Sequence, residues 1–361
     1  MDARLFMSVI TIDARSKRLT ELAIRNFSLD LRGLSVLTEA ASGYYALTPL
    51  IAALAGATKV YALAKDSRYG AASEIAENIL STARDWGVAD AIEILYSKDD
   101  ARVSQADVVT NLGFLRPLDA NFLARLKPKS AIPLMWETWE FRPEDLDLDQ
   151  CRRLGIPVLG TNEEHPLLQT PQFVGYIAVK LLFSMGIEVF KSNCIVLGSG
   201  KFLHAVAAAL SNNAANVIIA EVAADGTFDS EQVVAALKDG DALIVAEHHT
   251  RAPLIGPGCA LTAECIYAAN PAVSLAHICG NVDAASLRNA HVRYAPERIA
   301  APGFMSVATD YVGPKPLIDL HTAGLRIGAE LCLQMQRGAT AKQAETATLQ
   351  ALAFAQGFAD N

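Results

Sequence analysis

Hydrophobic and polar positions alternate along the chain in blocks that predict strands followed by helices. "KVYALA", residues 59–64, is a short apolar run typical of a buried strand. The next segment, "AASEIAENILSTARDWG", has apolar residues at helical spacing and a stop at Gly87. "AIEILY", "DVVTNLG", "SAIPLMW" and "IPVLGTN" predict further strands, with a helix over "DANFLARLK". The alternation indicates a parallel sheet with helices on both faces.

The second half of the chain repeats this alternation. A long helix is predicted over "TPQFVGYIAVKLLFSMGIEVF", and strands over "CIVL", "NVIIAEV", "DALIVAEHH", "VSLAHICG" and "VRYAPERIA". From about Leu317 the pattern is helical again. We therefore predict an α/β protein of two Rossmann-like, doubly wound domains with a cleft between them. Residues 1–172 plus 315–361 form the substrate domain, which the C-terminal helices complete, and residues 173–314 form the dinucleotide-binding domain.

Composition narrows the class of protein. Of the 361 residues, 52% are hydrophobic and 19% charged, enough to bury a large core. A net charge of −8 without a basic block argues against nucleic-acid binding. The six cysteines form no CxxC pair, so we expect neither a metal site nor a disulfide framework. No signal peptide and no apolar run of roughly 20 residues is evident, and we expect a cytoplasmic protein without a membrane partner.

The segment "CIVLGSGKF", residues 194–202, is a glycine turn between a predicted strand and a predicted helix. A P-loop would require Gly in place of Ile195 and Ser or Thr in place of Phe202, so a nucleoside triphosphate site is not indicated. Gly198 and Gly200 match the first two glycines of the dinucleotide fingerprint, whereas Leu203 replaces the third.

An acidic residue stands where this fingerprint expects one. Glu221 ends the next predicted strand, 21 residues after Gly200. A carboxylate at this place hydrogen-bonds the ribose hydroxyls of NAD and repels the extra phosphate of NADP. The sequence therefore predicts NAD as the cofactor, with NADP less favoured. The alternative is a doubly wound sheet whose dinucleotide pocket is empty or degenerate.

Several segments resemble the D-2-hydroxyacid dehydrogenase superfamily, in its two-domain form of the formate and glycerate dehydrogenase kind. "SLAHICGNVDAASL" is similar to the family's strand that ends in Ala-Arg-Gly and continues with Val-Asp, and Pro253-Leu254 stand at its Pro-Leu-Thr loop. "DLHTAGLRIG" resembles the segment that carries the catalytic histidine, which would be His321. The resemblance implies a substrate side built by the N-terminal domain and the tail, and an inserted domain that binds NAD.

The chain departs from the family at two places. The substrate-binding Arg would fall at Ile278 or Cys279, and neither side chain can pair with a carboxylate. The catalytic acid of the family lies between that Arg and the histidine, where Glu297 is the nearby candidate. The resemblance therefore implies a divergent member that lacks the Arg, and the 2-hydroxyacid substrate does not carry over.

Candidate site residues follow from these motifs and from polar clusters at strand ends, where open α/β sheets bind ligands. His321 would move a proton and Glu297 orient it, because imidazole titrates near neutrality; the alternative is a histidine that caps a helix start. The cofactor candidates are Gly198, Ser199, Gly200, Lys201, Phe202, Glu221, His248 and Gly280. The substrate candidates are Lys65, Asn111, Arg116, Glu137, Trp139 and Asn162.

The function that these candidates favour is an NAD-dependent oxidoreductase that acts on a small polar substrate in the interdomain cleft, as a homodimer. Two alternatives remain open at this point. One is a lyase or hydrolase that retains NAD, of the adenosylhomocysteine-hydrolase kind. The other is a non-catalytic ligand-binding protein with a degenerate pocket. A Cys–His nucleophile at Cys279 and His277 is a weaker candidate, because buried cysteine is often a small core residue.

Overall fold

The computed structural model describes residues 12–358. Their contacts divide the chain into two compact units. Unit 1 runs to Leu168 and resumes at Pro314, and unit 2 is Gln169–Gly313. Unit 2 therefore begins four residues before the predicted 173–314 and ends one residue earlier.

The helices and strands alternate through both units. Unit 1 begins with α1 Ala14–Asn26, β1 Ser35–Ala40, α2 Leu47–Leu54, β2 Lys59–Ala64, α3 Ala72–Trp86, β3 Ile92–Leu95, β4 Val108–Val109, α4 Ala120–Leu123, β5 Ile132–Pro133, α5 Leu148–Leu154 and β6 Val158–Thr161. Unit 2 contains α6 Thr170–Ser184, β7 Asn193–Gly198, α7 Gly200–Asn212, β8 Asn216–Glu221, α8 Ser230–Leu237, β9 Ala242–Ala246, α9 Ala263–Ala269, β10 Ser274–His277, α10 Ala284–Asn289 and β11 Arg293–Ala295. Unit 1 ends with α11 Lys315–Gln336, α12 Ala341–Ala351 and β12 Ala355–Gln356.

The sheet of unit 1 is parallel except at one edge. Its first four strands have the order β3-β2-β1-β4, and β5 pairs with β6, which pairs antiparallel with β12. A bridge between Val108 and Ala131 joins β4 to the chain that enters β5. Successive residues of a strand, such as Val36 and Leu37 of β1, belong to separate hydrophobic clusters, because successive side chains point to opposite faces. Both faces are therefore covered, as a doubly wound sheet requires.

Unit 2 has a five-stranded parallel sheet of order β11-β10-β9-β7-β8. Val196 and Ile244 belong to the cluster on one face, and Leu197 and Val245 to the cluster on the other. Strand β8 lies at the edge, and its Ile218 and Ile219 are 40% and 45% exposed. The predicted fold class of two doubly wound α/β units is confirmed.

Some element predictions were wrong. "DANFLARLK" contains only the single turn α4, and the long helix over residues 170–190 ends at Ser184. The hydrophobic pattern did not reveal α1 and β1. His321 does not open a helix, because α11 begins six residues earlier at Lys315.

Candidate functional site

The strand order of unit 2 places a topological switch point between β7 and β9. The chain runs from β7 outward to β8 and then crosses back to β9 on the other side of β7. In open α/β sheets, ligands bind at the carboxyl ends of the strands beside such a point. Here those ends carry the turn Gly198–Gly200 and the segment Glu247–His249.

Both glycines of the turn are required by close approach of the backbone. A Cβ on Gly198 would lie 2.5 Å from the carbonyl oxygen of Ala246 on β9. Gly200 has φ +56° and starts α7, and its Cβ would lie 2.7 Å from Cε1 of His249. Ser199 is the N-cap residue but makes no side-chain cap; its hydroxyl lies 3.0 Å from Nδ1 of His249. Ser199 and Gly200 are both partly exposed, so this part of the turn can be reached by a ligand.

Leu203 replaces the third glycine of the fingerprint. It is buried in the core that α6 and α7 share. The close approach of these two helices depends on Gly175 of α6, where a Cβ would lie 2.3 Å from the carbonyl oxygen of Ala205. The glycine that packs against α7 in this protein therefore belongs to α6.

Glu221 lies beside the glycine turn. The parallel register of β7 and β8 pairs Gly198 with Glu221. The Glu221 side chain is exposed, so its carboxylate is available to sugar hydroxyls. The turn and the acid fit a dinucleotide, with a pyrophosphate at the start of α7 and a ribose at the end of β8.

A stack of three rings lies beside the turn. Phe202 and His248 are stacked with ring centroids 4.1 Å apart, and the ring centroid of His249 lies 3.8 Å from that of His248. Burial lowers the pKa of His248 to about 4, so its imidazole is neutral at pH 7. His248 can thus act as a neutral polar wall of the site but not as a cationic phosphate ligand.

Glu247, next to His248, is a buried acid. Its side chain is fully buried, and Oε1 accepts hydrogen bonds from the backbone N–H groups of His249 and Thr250, both at 2.7 Å. Within residues 12–358, its other oxygen, Oε2, is buried without a hydrogen-bond partner. The sequence pattern pointed to "AEHHTR" as a polar strand end, but the importance of Glu247 depends on burial, which the pattern does not show.

Both positions at which the family's Arg would fall, Ile278 and Cys279, are buried and neutral. Burial raises the pKa of Cys279 to about 12, and the charge of Glu247 adds to the shift. Both ring nitrogens of His277 face carbonyl oxygens, those of Cys279 at 3.3 Å and Pro296 at 2.8 Å. The Cys–His nucleophile considered from the sequence is therefore not formed. Gly280 allows tight packing, since a Cβ would lie 1.9 Å from the carbonyl oxygen of Ala300.

In unit 1, several predicted substrate residues are engaged with their own chain. Arg116 pairs with Asp145 at 2.9 Å, and its guanidinium lies 4.7 Å from the ring centroid of Trp136. Asn111 is buried and accepts from the Met135 N–H at 2.9 Å. These contacts hold the loops at the carboxyl edge of the sheet.

The remaining substrate candidates of unit 1 lie at the same edge. Buried Glu137 accepts from Nε1 of Trp139 at 2.5 Å, and Asn162 accepts from the Glu164 N–H at 3.1 Å. Lys65, which follows β2, is half-buried. The edge therefore gathers the six predicted residues, although these two hydrogen bonds serve local turns.

A buried acid at this edge, Glu39, was not among the predicted site residues, because strand β1 was not predicted. Glu39 accepts from the Phe114 N–H at 2.9 Å. Burial raises its pKa, and the charges of Arg116 and Lys65 oppose that shift. The apolar run "SVLTEA" followed by "ASGYY" was the signal that could have located it.

His321 lies inside unit 1, on α11. It is 3% exposed, and its Nδ1 is 2.7 Å from the hydroxyl of Thr48 on α2. Burial lowers its pKa to about 3, so it does not titrate near neutrality as the sequence suggested. Glu297 is exposed and belongs to unit 2, so neither unit by itself brings the two residues together.

The described part of the chain, residues 12–358, contains no group of three or more His, Cys, Asp or Glu side chains that could hold a metal ion. No helix within it is both long enough and apolar enough to cross a membrane.

Comparison with solved structures identifies the fold. A chain of dipicolinate synthase from Bacillus halodurans matches with a TM-score of 0.50 and 10% identity, over 86% of this chain and 100% of that one. The fold is similar to that of this dipicolinate synthase chain. Its counterpart from Bacillus subtilis matches with a TM-score of 0.49 and 12% identity, over 86% and 98% of the two chains.

A D-isomer specific 2-hydroxyacid dehydrogenase from Lactobacillus delbrueckii ssp. bulgaricus, in an NAD-complexed form, matches with a TM-score of 0.43 and 14% identity, over 86% and 99% of the two chains. The predicted fold of two doubly wound units is supported by the match with a TM-score of 0.50. No protein-family model and no curated protein matches the chain.

Proposed function

We propose that the protein is an oxidoreductase that uses a nicotinamide dinucleotide, with NAD preferred over NADP. The observation that carries this proposal is the pairing of Gly198 with Glu221 at the switch point of unit 2. This pairing brings a phosphate-compatible turn and a ribose-compatible carboxylate onto adjacent strand ends. The bound dinucleotide would accept or donate a hydride.

Different residues would hold different parts of the dinucleotide. Backbone N–H groups at the start of α7 suit a pyrophosphate, with Lys201 contributing positive charge. Phe202 and His248 supply a neutral wall, and Gly280 keeps the adjacent strand end free of a side chain. Glu221 would hold the adenosine ribose and disfavour a 2′-phosphate, and "EVAADG" contains no Arg to receive that phosphate.

The proposal for the substrate is coarser. A small polar molecule would use the carboxyl edge of the unit 1 sheet, with Arg116 and the Glu137 region as contacts. His321 would transfer the proton and Glu297 would support it. Because the pKa of His321 is lowered to about 3, its imidazole would act from the neutral form at pH 7.

The cofactor assignment is tested by Glu221→Ala, with NAD and NADP affinities measured by calorimetry. We expect NAD binding to weaken about tenfold, because a hydrogen bond to a charged group is lost. NADP binding should not weaken, because the repulsion of its phosphate is lost as well. Exposed Glu231 on α8 provides the matched control, and Glu231→Ala should change neither affinity. Equal losses for both dinucleotides in Glu221→Ala would refute the role of Glu221.

The absorbance and mass spectra of the purified protein separate the related functions. Co-purifying NAD would favour an enzyme that retains and cycles its cofactor, whereas exchangeable NAD would favour a dehydrogenase. Failure to bind either dinucleotide at millimolar concentration would favour a non-catalytic ligand-binding protein.

We also propose that the chain forms a homodimer. Tyr176 and Phe183, seven residues apart on α6, are 50% and 59% exposed, an unusual exposure for aromatic side chains on one helix face. Light scattering should give twice the chain mass, and Phe183→Asp should lower it. A wild-type mass equal to one chain would contradict the proposal.

A further inference from the structure

Glu247 is a buried carboxylate that its own unit satisfies on one side only. Oε1 takes both backbone N–H groups of the following turn, at 2.7 Å each, whereas Oε2 is buried and accepts no hydrogen bond among residues 12–358. An unsatisfied buried carboxylate oxygen is far costlier than a neutral orphan atom. A ligand that brings a hydrogen-bond donor to Oε2 would remove this penalty on binding.

The strand order indicates which part of a dinucleotide lies near Glu247. The glycine turn that suits the pyrophosphate ends β7, and Glu221 ends β8 on one side of it. A dinucleotide that places its adenosine over β8 must extend its other half past β7 toward β9. Glu247 directly follows β9, and a Cβ on Gly198 would lie 3.1 Å from the Glu247 backbone nitrogen.

Two neighbouring side chains, Cys279 and Arg251, do not supply a hydrogen bond to Oε2 of Glu247. Cys279, at the end of β10, is buried, and its raised pKa keeps the thiol protonated. Arg251 is exposed; it donates to the Gly303 carbonyl at 2.8 Å and lies 4.5 Å from the ring centroid of Phe304. A cation held in this way does not supply the missing contact of Oε2.

We propose that Oε2 of Glu247 accepts a hydrogen bond from the nicotinamide nucleoside half of the dinucleotide, either from a ribose hydroxyl or from the carboxamide N–H. The inference rests on the proposed dinucleotide site. Glu247 is then the counterpart of Glu221, with one carboxylate for each half of the ligand.

The test compares NAD with ADP, which lacks the nicotinamide nucleoside, in wild type and Glu247→Gln by calorimetry. The single oxygen of Gln must serve the N–H groups of His249 and Thr250, so its other terminal atom becomes a donor. We expect Glu247→Gln to weaken NAD about tenfold and to leave ADP unchanged. Glu221→Ala, by contrast, should weaken both ligands, because both carry the adenosine ribose.

A wild-type measurement keeps the test decisive if Glu247→Gln fails to fold. NAD should bind more tightly than ADP, and equal affinities would overturn the inference. Equal effects of Glu247→Gln on NAD and ADP would also overturn it. Wild-type protein that binds neither ligand would instead refute the proposed function.

The donor itself is identified with 3-acetylpyridine adenine dinucleotide, which keeps the ribose but has no carboxamide N–H. If the carboxamide is the donor, wild type binds this analogue about tenfold more weakly than NAD. The difference then disappears in Glu247→Gln. If a ribose hydroxyl is the donor, the analogue binds like NAD in both proteins. Each of these two results supports the contact.

Discussion

The polar residues at the carboxyl edges of the two sheets differ in their hydrogen-bond and ion-pair partners. In unit 1, Arg116 is neutralised by Asp145, and Glu39 and Asn111 accept backbone N–H groups of nearby loops. In unit 2, Glu221 is exposed beside a glycine turn, and Oε2 of Glu247 is left without a partner among residues 12–358. The first edge uses Glu39, Asn111 and one end of Arg116 to fix its own loops, and among residues 12–358 it leaves donor nitrogens, Nε of Arg116 and Nε1 of Trp136, buried without a partner. The second edge leaves an acceptor, a carboxylate oxygen.

Polar residues at strand ends are therefore not equivalent evidence for a site. The informative groups are those that the unit does not itself satisfy, because a buried polar atom without a partner is rare in a folded protein. By this criterion both edges hold candidate ligand contacts, donor nitrogens in unit 1 and an acceptor oxygen in unit 2.

The largest expected effect concerns His321, on α11 of unit 1. If His321 transfers the proton, His321→Gln should lower turnover about 10²–10⁴-fold. NAD affinity should stay unchanged, because the cofactor candidates lie in unit 2. Stopped-flow kinetics with the physiological substrate would measure both quantities. Turnover close to that of wild type would show that His321 only binds Thr48 within the core.

The second effect is the acid sensitivity of unit 1. The pKa of His321 is lowered by burial to about 3 from an ordinary value of 6.5, so the unfolded chain binds one more proton between these pH values. Stability is therefore fully present above pH 6.5 and decreases as the pH falls, by about 1.4 kcal/mol per pH unit from this group. Urea unfolding at pH 7, 6 and 5 should show the loss.

In His321→Gln this contribution is absent, so its unfolding free energy should depend less steeply on pH. Parallel curves for the variant and wild type would mean that His321 titrates in the folded protein as it does in the unfolded chain. The burial of its imidazole would then not control its titration.

The third and smallest expected effect is a change in stability, and it compares one glycine at each of the two edges. Gly198→Ala would place a Cβ 2.5 Å from the Ala246 carbonyl oxygen and should destabilise the protein by about 1–3 kcal/mol. Gly113, at the edge of unit 1, is the matched control: its Cβ would lie 3.5 Å from Oε2 of Glu39, an ordinary contact. Gly113→Ala should change the unfolding free energy by less than about 0.5 kcal/mol. Similar losses for both variants in denaturant titrations would refute the argument.

The parts of the fold that could be predicted depend on residues close in sequence. "CIVLGSGKF" and Glu221 lie within one βαβ unit, so the apolar runs and the glycines suffice to predict β7, the turn, α7 and β8. The same holds for α3, whose stop at Gly87 is a left-handed residue with φ +76°.

The parts that could not be predicted depend on distant contacts. Thr48, the partner of His321, is 273 residues away in the chain. The local motif around His321 therefore resembles one with a catalytic histidine, although the fold buries the ring. The close packing of α6 on α7 depends on Gly175, which precedes the glycine turn by more than 20 residues, and no spacing rule of the glycine fingerprint includes it. Burial, which distinguishes Glu247 from other strand-end acids, is a property of the packed sheet.

The exposed edge strand β8 has a practical consequence for handling the protein. Ile218 and Ile219 are consecutive, so their side chains point to opposite faces, and both are partly exposed. The strand "NVIIAE" also has unpaired backbone groups along its outer side, a combination that promotes edge-to-edge aggregation of concentrated protein. The colloidal stability of the protein will depend on this short segment more than on the net charge of −8. Natural edge strands often carry a lysine that prevents such pairing, and a single lysine in this strand would have the same effect.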